Sequence, residues 1–133
     1  MRKLDFSAVV LAGGASLRMG RDKAWLPAGR ETFLERSLNL CRSLHPREVF
    51  ISGRPGEDYS AFPYSVLLDL EPGNGPLGGI ERALQAATAP LVLVLAVDLP
   101  LMTTPFLSSL LAHCDRLTGC VPRHDDRLEP LAA

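Results

Sequence analysis

The chain lacks the features that define several protein classes. Its longest hydrophobic run, Leu91–Val97, has seven residues, whereas a membrane-spanning helix needs about 20. The three cysteines have neither metal-ligand spacing nor the even number of a disulfide framework. The formal net charge of −1 offers no basic surface for nucleic acid, and the charged start, Met1–Asp5, is unlike a signal peptide. We therefore expect a cytoplasmic protein with no membrane or nucleic-acid partner.

What is present is the composition of one soluble globular domain, with 47% hydrophobic and 22% charged residues among 133. Strand-like and helix-like segments follow one another, which predicts an α/β fold with a mostly parallel sheet. Leu91–Val97 is predicted to be a central strand buried on both faces. The predicted strands are 8–11, 48–52, 64–69 and 91–97, with a weak strand at 119–122, and the predicted helices are 32–45, 76–89 and 103–113. A turn is predicted at residues 28–30 and a hairpin-like loop over residues 123–127.

Two helices have specific sequence signals. Thr32 and Glu35 have the spacing of a capping box at the start of the first helix. The second helix is predicted to bury an apolar face made of Ile80, Ala83, Leu84 and Ala87. Trp25 lies in the short apolar segment 24–27, before the first helix. It is predicted to belong to the core rather than to stack on a base.

A glycine turn directly follows the first strand. Gly13 and Gly14 allow backbone N–H groups to approach a ligand closely, and Arg18, Arg21 and Lys23 cluster within six positions. Backbone donors and cations together suit a polyanion such as a nucleoside triphosphate. The loop matches neither the P-loop nor the dinucleotide pattern, so the residues alone leave open a tight turn with solvated charges.

Two acidic residues and a glycine pair also fall where strands end or a helix begins. Ligands of parallel sheets bind at the carboxyl ends of the strands, where Asp69 and Asp98 are placed. Asp98 could bind Mg²⁺ or cap the turn that follows it, and the spacing favours neither role over the other. Asp69 could contact a base, order the following loop or simply end a strand. Gly78 and Gly79 could expose helix N–H groups to a ligand or form an ordinary helix start.

The complete string from Leu11 to Lys23 is more specific than these parts. It resembles the signature Leu-Ala-Gly-Gly-x-Ser-x-Arg-Met-Gly-x-Asp-Lys of the MobA-like nucleotidyltransferases, and within them the molybdenum cofactor guanylyltransferases. Val97–Pro100 resembles the family's x-Asp-x-Pro metal motif, and Gly75–Gly79 matches a segment that lies against the nucleotide. The resemblance implies a three-layer Rossmann-like nucleotidyltransferase fold. It also implies transfer of GMP from GTP to the phosphate of a molybdopterin-type molybdenum cofactor, with release of pyrophosphate.

The resemblance also implies the site residues. Lys23, Arg18 and Asp98 would be catalytic, with Asp98 holding Mg²⁺. Glycine at position 13 favours GTP, since relatives that use CTP tend to carry alanine there. The implied nucleotide-binding residues are Leu11, Ala12, Gly13, Gly14, Lys23, Asp69, Gly78, Gly79 and Asp98.

The implied partners are the two substrates, GTP and the molybdopterin-type cofactor, with transient contacts to cofactor-synthesis proteins or molybdoenzymes. Two alternatives stay open: a related transferase using CTP or a sugar phosphate, and a nucleotide-binding regulatory module without turnover. Because family members continue well past this length, we expect residues 1–133 to form a single nucleotidyltransferase domain that lacks its C-terminal part.

Overall fold

A computed structural model of the chain describes residues 5–12, 25, 27–53, 58–68, 75–97, 102–114, 123–124 and 127–128. The four main strands and three helices that the sequence predicts are present within these ranges, together with four strands of two residues each. In chain order they are β1 (Phe6–Leu11), β2 (Pro27–Ala28), β3 (Glu31–Thr32), α1 (Phe33–Arg42), β4 (Val49–Gly53), β5 (Ser65–Leu68), α2 (Gly75–Ala86), β6 (Leu91–Ala96), α3 (Thr104–Ala112), β7 (Arg123–His124) and β8 (Arg127–Leu128).

The main sheet has four strands in the order β5-β4-β1-β6. All three pairings between neighbours are parallel, which confirms the predicted α/β class. β1 is buried along its whole length because it has a strand on either side and helices over both faces. β6 is parallel and mostly buried, as predicted, but it stands at the end of the described sheet. Its predicted central position stays a prediction.

The core is divided by the sheet into two apolar layers. Alternate residues of β1 point to opposite faces: Ala8 and Val10 belong to one cluster, Val9 and Leu11 to the other. The first cluster includes residues of α1 and α3, and the second includes Ala83 of α2. The described chain therefore forms three layers, with α1 and α3 on one face and α2 on the other, as the family resemblance implied.

Helix α1 begins where the capping signal predicted. The Thr32 hydroxyl oxygen accepts a hydrogen bond from the backbone N–H of Glu35 at 3.1 Å, which satisfies one of the free donors of the first turn. The helix ends at Arg42, and His45 then adopts a left-handed backbone with φ of 57° before Pro46. The side chains Leu34, Leu38 and Cys41 recur at helical spacing and are buried against the sheet.

The prediction for the apolar face of α2 is wrong at one position. Ile80, Ala83 and Ala87 pack towards the sheet, but Leu84 is 61% exposed. Each residue advances roughly 100° around a helix. Because the buried stripe runs through residues 79 and 83, Leu84 lies on its flank. Leu84 is assigned to the buried face by its hydrophobicity, but the small residues Gly79 and Ala83 are the ones that approach the sheet.

Side-chain hydrogen bonds connect three segments at the amino ends of the strands. One carboxylate oxygen of Glu48 accepts from the Ser7 hydroxyl at 2.5 Å and from the backbone N–H and hydroxyl of Thr88 at 2.7 and 2.8 Å. Arg47 donates to the Thr88 carbonyl at 2.6 Å and pairs with Asp5. These contacts join β1 to the residues before β4 and β6, at the edge opposite the glycine turn.

Two small antiparallel pairs complete the described structure. β2 pairs with β3 across a turn at Gly29, whose φ is 71°; the turn was predicted and the pairing was not. β7 pairs with β8, which confirms the hairpin-like loop expected over residues 123–127. Within the described ranges, no helix is both long enough and apolar enough to cross a membrane.

Candidate functional site

The carboxyl ends of the four parallel strands are aligned at one edge of the sheet. The strand register aligns Leu11 with Ser52 and with Ala96, and Ser52 with Leu67. One residue further along the chain, the N–H of Ala12 donates to the carbonyl of Ser52 at 2.9 Å. The N–H of Val97 likewise approaches the carbonyl of Leu11 at 3.4 Å. β1 therefore contacts both neighbours up to its last residue.

Three of the predicted site residues follow this edge in sequence. Leu11, Leu67 and Ala96 are aligned across the sheet, and the predicted site residues Gly13, Asp69 and Asp98 each lie two positions after one of them. These three site residues lie outside the described residues, as do Gly14, Arg18 and Lys23, so their roles stay predictions. Leu11, Ala12, Gly78 and Gly79 are described and lie at or beside the edge.

The order of the strands separates the two acidic positions. β6 is the direct neighbour of β1, whereas β5 lies two strands away from β1 on the other side. Adjacent strands are about 4.8 Å apart, so β5 and β6 are separated by roughly 14 Å. The end of β6 therefore lies beside the end of β1, which the glycine turn follows in sequence, whereas the end of β5 lies two strands from β1 and three from β6.

The chain also reverses direction across the sheet at this place. From β1 it proceeds to β4 and β5 on one side and then crosses to β6 on the other. Such a switch point opens a crevice at the carboxyl edge, where ligands of doubly wound sheets bind. The crevice falls between β1 and β6, the two strands followed by the glycine turn and by Asp98.

The start of α2 packs directly on this edge because Gly79 has no side chain. A Cβ atom at residue 79 would lie 2.4 Å from the Ser52 hydroxyl oxygen and 3.2 Å from a methyl group of Leu11. Gly79 thus has a packing role, whether or not it also contacts a ligand. Ser52 is 3% exposed and was missed by the sequence reasoning. A serine followed by glycine at the end of an apolar strand is the signal that could have indicated it.

Trp25 packs against the core, as predicted, within a cluster of aromatic rings. Its ring stacks on Tyr59 and Phe62 with centroid separations of 5.7 and 6.3 Å, and it packs against the larger core cluster. The ring of Tyr59 fills the space beside Gly53, where a Cβ would lie 2.4 Å from it. The indole N–H is buried without a hydrogen-bond partner among the described residues. Trp25 therefore serves packing rather than base stacking.

The described residues alone contain no group of three His, Cys, Asp or Glu side chains that could hold a metal ion. Mg²⁺ needs only one or two protein carboxylates because water and substrate phosphates supply its other ligands. The residue chemistry fits this requirement, since a single acid, Asp98, follows β6 in sequence and the glycine turn follows the neighbouring strand β1.

A cavity of about 560 Å³ opens at the other end of the sheet. Its lining includes Arg42, His45, Tyr64 and Ser65 at the amino ends of β4 and β5. Because the glycine turn follows the carboxyl ends, this cavity is separate from the candidate site.

Comparison with known proteins decides the family. The MobA-like NTP transferase domain matches residues 8–133, which is nearly the whole chain. The chain belongs to the MobA-like NTP transferase family. This family membership confirms the resemblance carried by Leu11–Lys23, and it accords with the three-layer arrangement of the described residues.

The curated relatives of this family member carry more specific names. The chain is 39% identical over 130 residues to a probable molybdenum cofactor guanylyltransferase of Opitutus terrae, covering 96% of this chain and 64% of that protein. It is 40% identical over 124 residues to the molybdenum cofactor guanylyltransferase of Xanthomonas euvesicatoria, covering 92% and 61%. The chain thus spans less than two thirds of the length of these relatives.

A solved structure supports the fold. The molybdopterin-guanine dinucleotide biosynthesis protein A of Archaeoglobus fulgidus superimposes with a TM-score of 0.67 at 24% identity, covering 95% of this chain and 65% of that one. At this level of identity the likeness establishes the shared architecture.

Proposed function

We propose that the protein transfers GMP from GTP to the phosphate of a molybdopterin-type molybdenum cofactor and releases pyrophosphate. The observation that carries the proposal is the juxtaposition of β1 and β6 at the switch point of a MobA-like sheet. These are the two strands that the glycine turn and Asp98 follow in sequence. The names of the relatives at 39% and 40% identity support the choice of acceptor and nucleotide.

The proposed reaction is a single displacement at phosphorus. An oxygen of the acceptor phosphate attacks the α-phosphorus of GTP, the bond from that phosphorus to the bridging oxygen of the β-phosphate breaks, and pyrophosphate leaves. No covalent enzyme intermediate is required, so catalysis consists of positioning and charge neutralisation. Arg18 offers a planar bidentate donor for phosphate oxygens, and Lys23 offers a point charge for the α-phosphate.

The remaining residues have binding roles in this proposal. Asp98 would hold Mg²⁺, which supplies neutralisation of the phosphate charge when bound. Asp69 follows a strand roughly 10 Å from β1, a distance that suits the base or ribose better than the metal. Gly13, Gly14 and the start of α2 allow close approach of the nucleotide to the backbone.

Pyrophosphate release tests the proposal. The purified protein is assayed with Mg²⁺, a molybdopterin-type acceptor and either GTP or CTP at equal concentration. We expect release that requires the acceptor and prefers GTP. A preference for CTP would instead support the related cytidylyltransferase, and nucleotide binding without release under any condition would support the regulatory module.

Two aspartate variants separate the metal site from the rest of the fold. Asp98→Asn keeps the side-chain size but removes the charge, so release should be abolished. Asp5→Asn is the matched control, because Asp5 pairs with Arg47 at the opposite end of the sheet. Near-normal rates for Asp98→Asn at saturating Mg²⁺ would refute the metal assignment.

A further inference from the structure

Arg36 connects helix α1 to the segment that enters helix α3. One guanidinium nitrogen, Nη2, donates a hydrogen bond to the backbone carbonyl oxygen of Met102 at 2.8 Å. The two residues are 66 positions apart, and the contact is partly buried. A charged donor on a partly buried carbonyl is a strong form of hydrogen bond, whereas an arginine on the outer face of a helix is ordinarily solvated.

The position of Arg36 follows from the course of the chain. Helix α1 must return from the carboxyl end of β1 to the amino end of β4, so its first turn lies near the carboxyl edge. Arg36 is in that first turn. Its side chain can therefore reach the connection between β6 and α3, which leaves the same edge of the sheet.

The connection from β6 to α3 is held at both ends. At its start, the N–H of Val97 approaches the carbonyl of Leu11 in β1. At its end, Arg36 holds the carbonyl of Met102, and Thr103 caps α3 by accepting from the N–H of Phe106 at 3.3 Å. Asp98 lies in sequence between these two anchors, one residue after the first and four before the second.

We infer that Arg36 is a positioning residue for the β6–α3 connection and, through it, for the carboxylate of Asp98. This inference rests on the proposed function for the role of Asp98, but not for the anchoring of the connection. Arg36 touches no reacting atom in this account. Its hydrogen bond fixes the backbone at Met102, four residues after Asp98, which would lower the entropy lost when that carboxylate takes its place beside a metal and a nucleotide.

Hydrogen exchange provides the test that does not depend on activity. Arg36→Gln removes the charged donor, and Arg36→Lys keeps the charge without the planar fork. Arg42→Gln is the control, because Arg42 is an exposed residue in the last turn of the same helix. We expect Arg36→Gln to speed amide exchange in peptides covering residues 98–103 about tenfold, with no change in β1 or β4. Arg36→Lys should have a smaller effect and Arg42→Gln none.

Metal dependence provides the second readout. Binding of Mn²⁺ is measured by water-proton relaxation, in the presence of a GTP analogue that has a methylene group between the α- and β-phosphates. The Mn²⁺ concentration needed for half-saturation should rise about tenfold in Arg36→Gln. The Mg²⁺ requirement for pyrophosphate release should rise equally, and saturating metal should restore kcat. If Arg36→Gln does not fold, Arg36→Lys carries both measurements.

The outcomes are distinguishable. Unchanged exchange in residues 98–103 would overturn the inference. Faster exchange with an unchanged metal requirement would also overturn it, since Arg36 would then only stabilise the packing of α1 on α3. Absence of pyrophosphate release by the wild type would refute the proposed function instead, and the exchange and Mn²⁺ measurements would still decide the role of Arg36.

Discussion

The contact between Gly79 and Ser52 yields a quantitative prediction. Gly79→Ala favours the helical state by about 1 kcal/mol because alanine loses less backbone freedom than glycine. The new Cβ would, however, lie 2.4 Å from the Ser52 hydroxyl oxygen, well inside van der Waals contact. Overpacking of this kind costs about 1–3 kcal/mol. We therefore expect a net loss of up to about 2 kcal/mol in the free energy of unfolding.

A double-mutant cycle isolates the cause. In the Ser52→Ala background the oxygen is gone, and the remaining contacts are 3.2 Å to a Leu11 methyl group and 3.3 Å to the Cβ of residue 52. Small shifts relieve these, so Gly79→Ala should be neutral or stabilising there. The coupling free energy from urea denaturation of the four proteins should be about 1–3 kcal/mol. Equal effects of Gly79→Ala in both backgrounds would refute the packing argument.

The same four proteins test whether the packing of α2 on Ser52 affects binding of the nucleotide. In the single variant Gly79→Ala, α2 must move away from the carboxyl edge, so the KM for GTP should rise under the proposed function. Restoration of that KM by Ser52→Ala would show that the helix position, and not the glycine itself, matters to the nucleotide. A raised KM that persists in the double variant would instead assign Gly79 a direct ligand contact.

Three further predictions concern single side chains. Partial burial raises the pKa of Glu48, but hydrogen bonds from Ser7 and Thr88, with the charge of Arg47, outweigh it and lower the pKa below its ordinary value of 4.5. A lowered pKa stabilises the fold above the unfolded-state pKa, and this contribution is lost as pH falls through the folded-state pKa. The Tm advantage of wild type over Glu48→Gln should thus be largest near pH 7 and shrink below pH 4.5, and an advantage that stayed constant down to pH 3 would contradict this reasoning. Burial raises the pKa of Cys41 to about 12, so iodoacetamide should label it at pH 8 only after unfolding; rapid labelling of the native protein would contradict its burial. Lys23→Ala should lower kcat more than it weakens GTP binding, since charge accumulates at the α-phosphate during transfer, and a pure KM effect would make Lys23 an ordinary binding residue.

The fold was predictable because its signals are local. The run Leu91–Val97 is too apolar for any exposed element, and Thr32 with Glu35 marks a helix start by spacing alone. The ends of β1, β5 and β6, which the glycine turn and the two acids follow in sequence, could be placed at one edge because parallel strands end together.

Other features depend on distances that no local pattern contains. Ser52 and Gly79 are 27 positions apart, and only the packing of α2 on β4 brings them together. Arg36 looks like any cation on an amphipathic helix until its contact with Met102 is known. Leu84 was assigned to the core because its hydrophobicity was weighed above the small residues beside it. The short β2–β3 pair is stabilised by its turn at Gly29 and has too few residues for a strand pattern.

The central claim is that the α-phosphate of GTP is transferred to a molybdopterin-type acceptor. Mass spectrometry of the reaction mixture tests it most directly, with the wild type and Asp98→Asn incubated with Mg²⁺, GTP and the acceptor. The account predicts a product whose mass equals the acceptor plus GMP less one water, formed in equal amount to pyrophosphate by the wild type alone. Hydrolysis of GTP without that product, or equal product from Asp98→Asn, would contradict it.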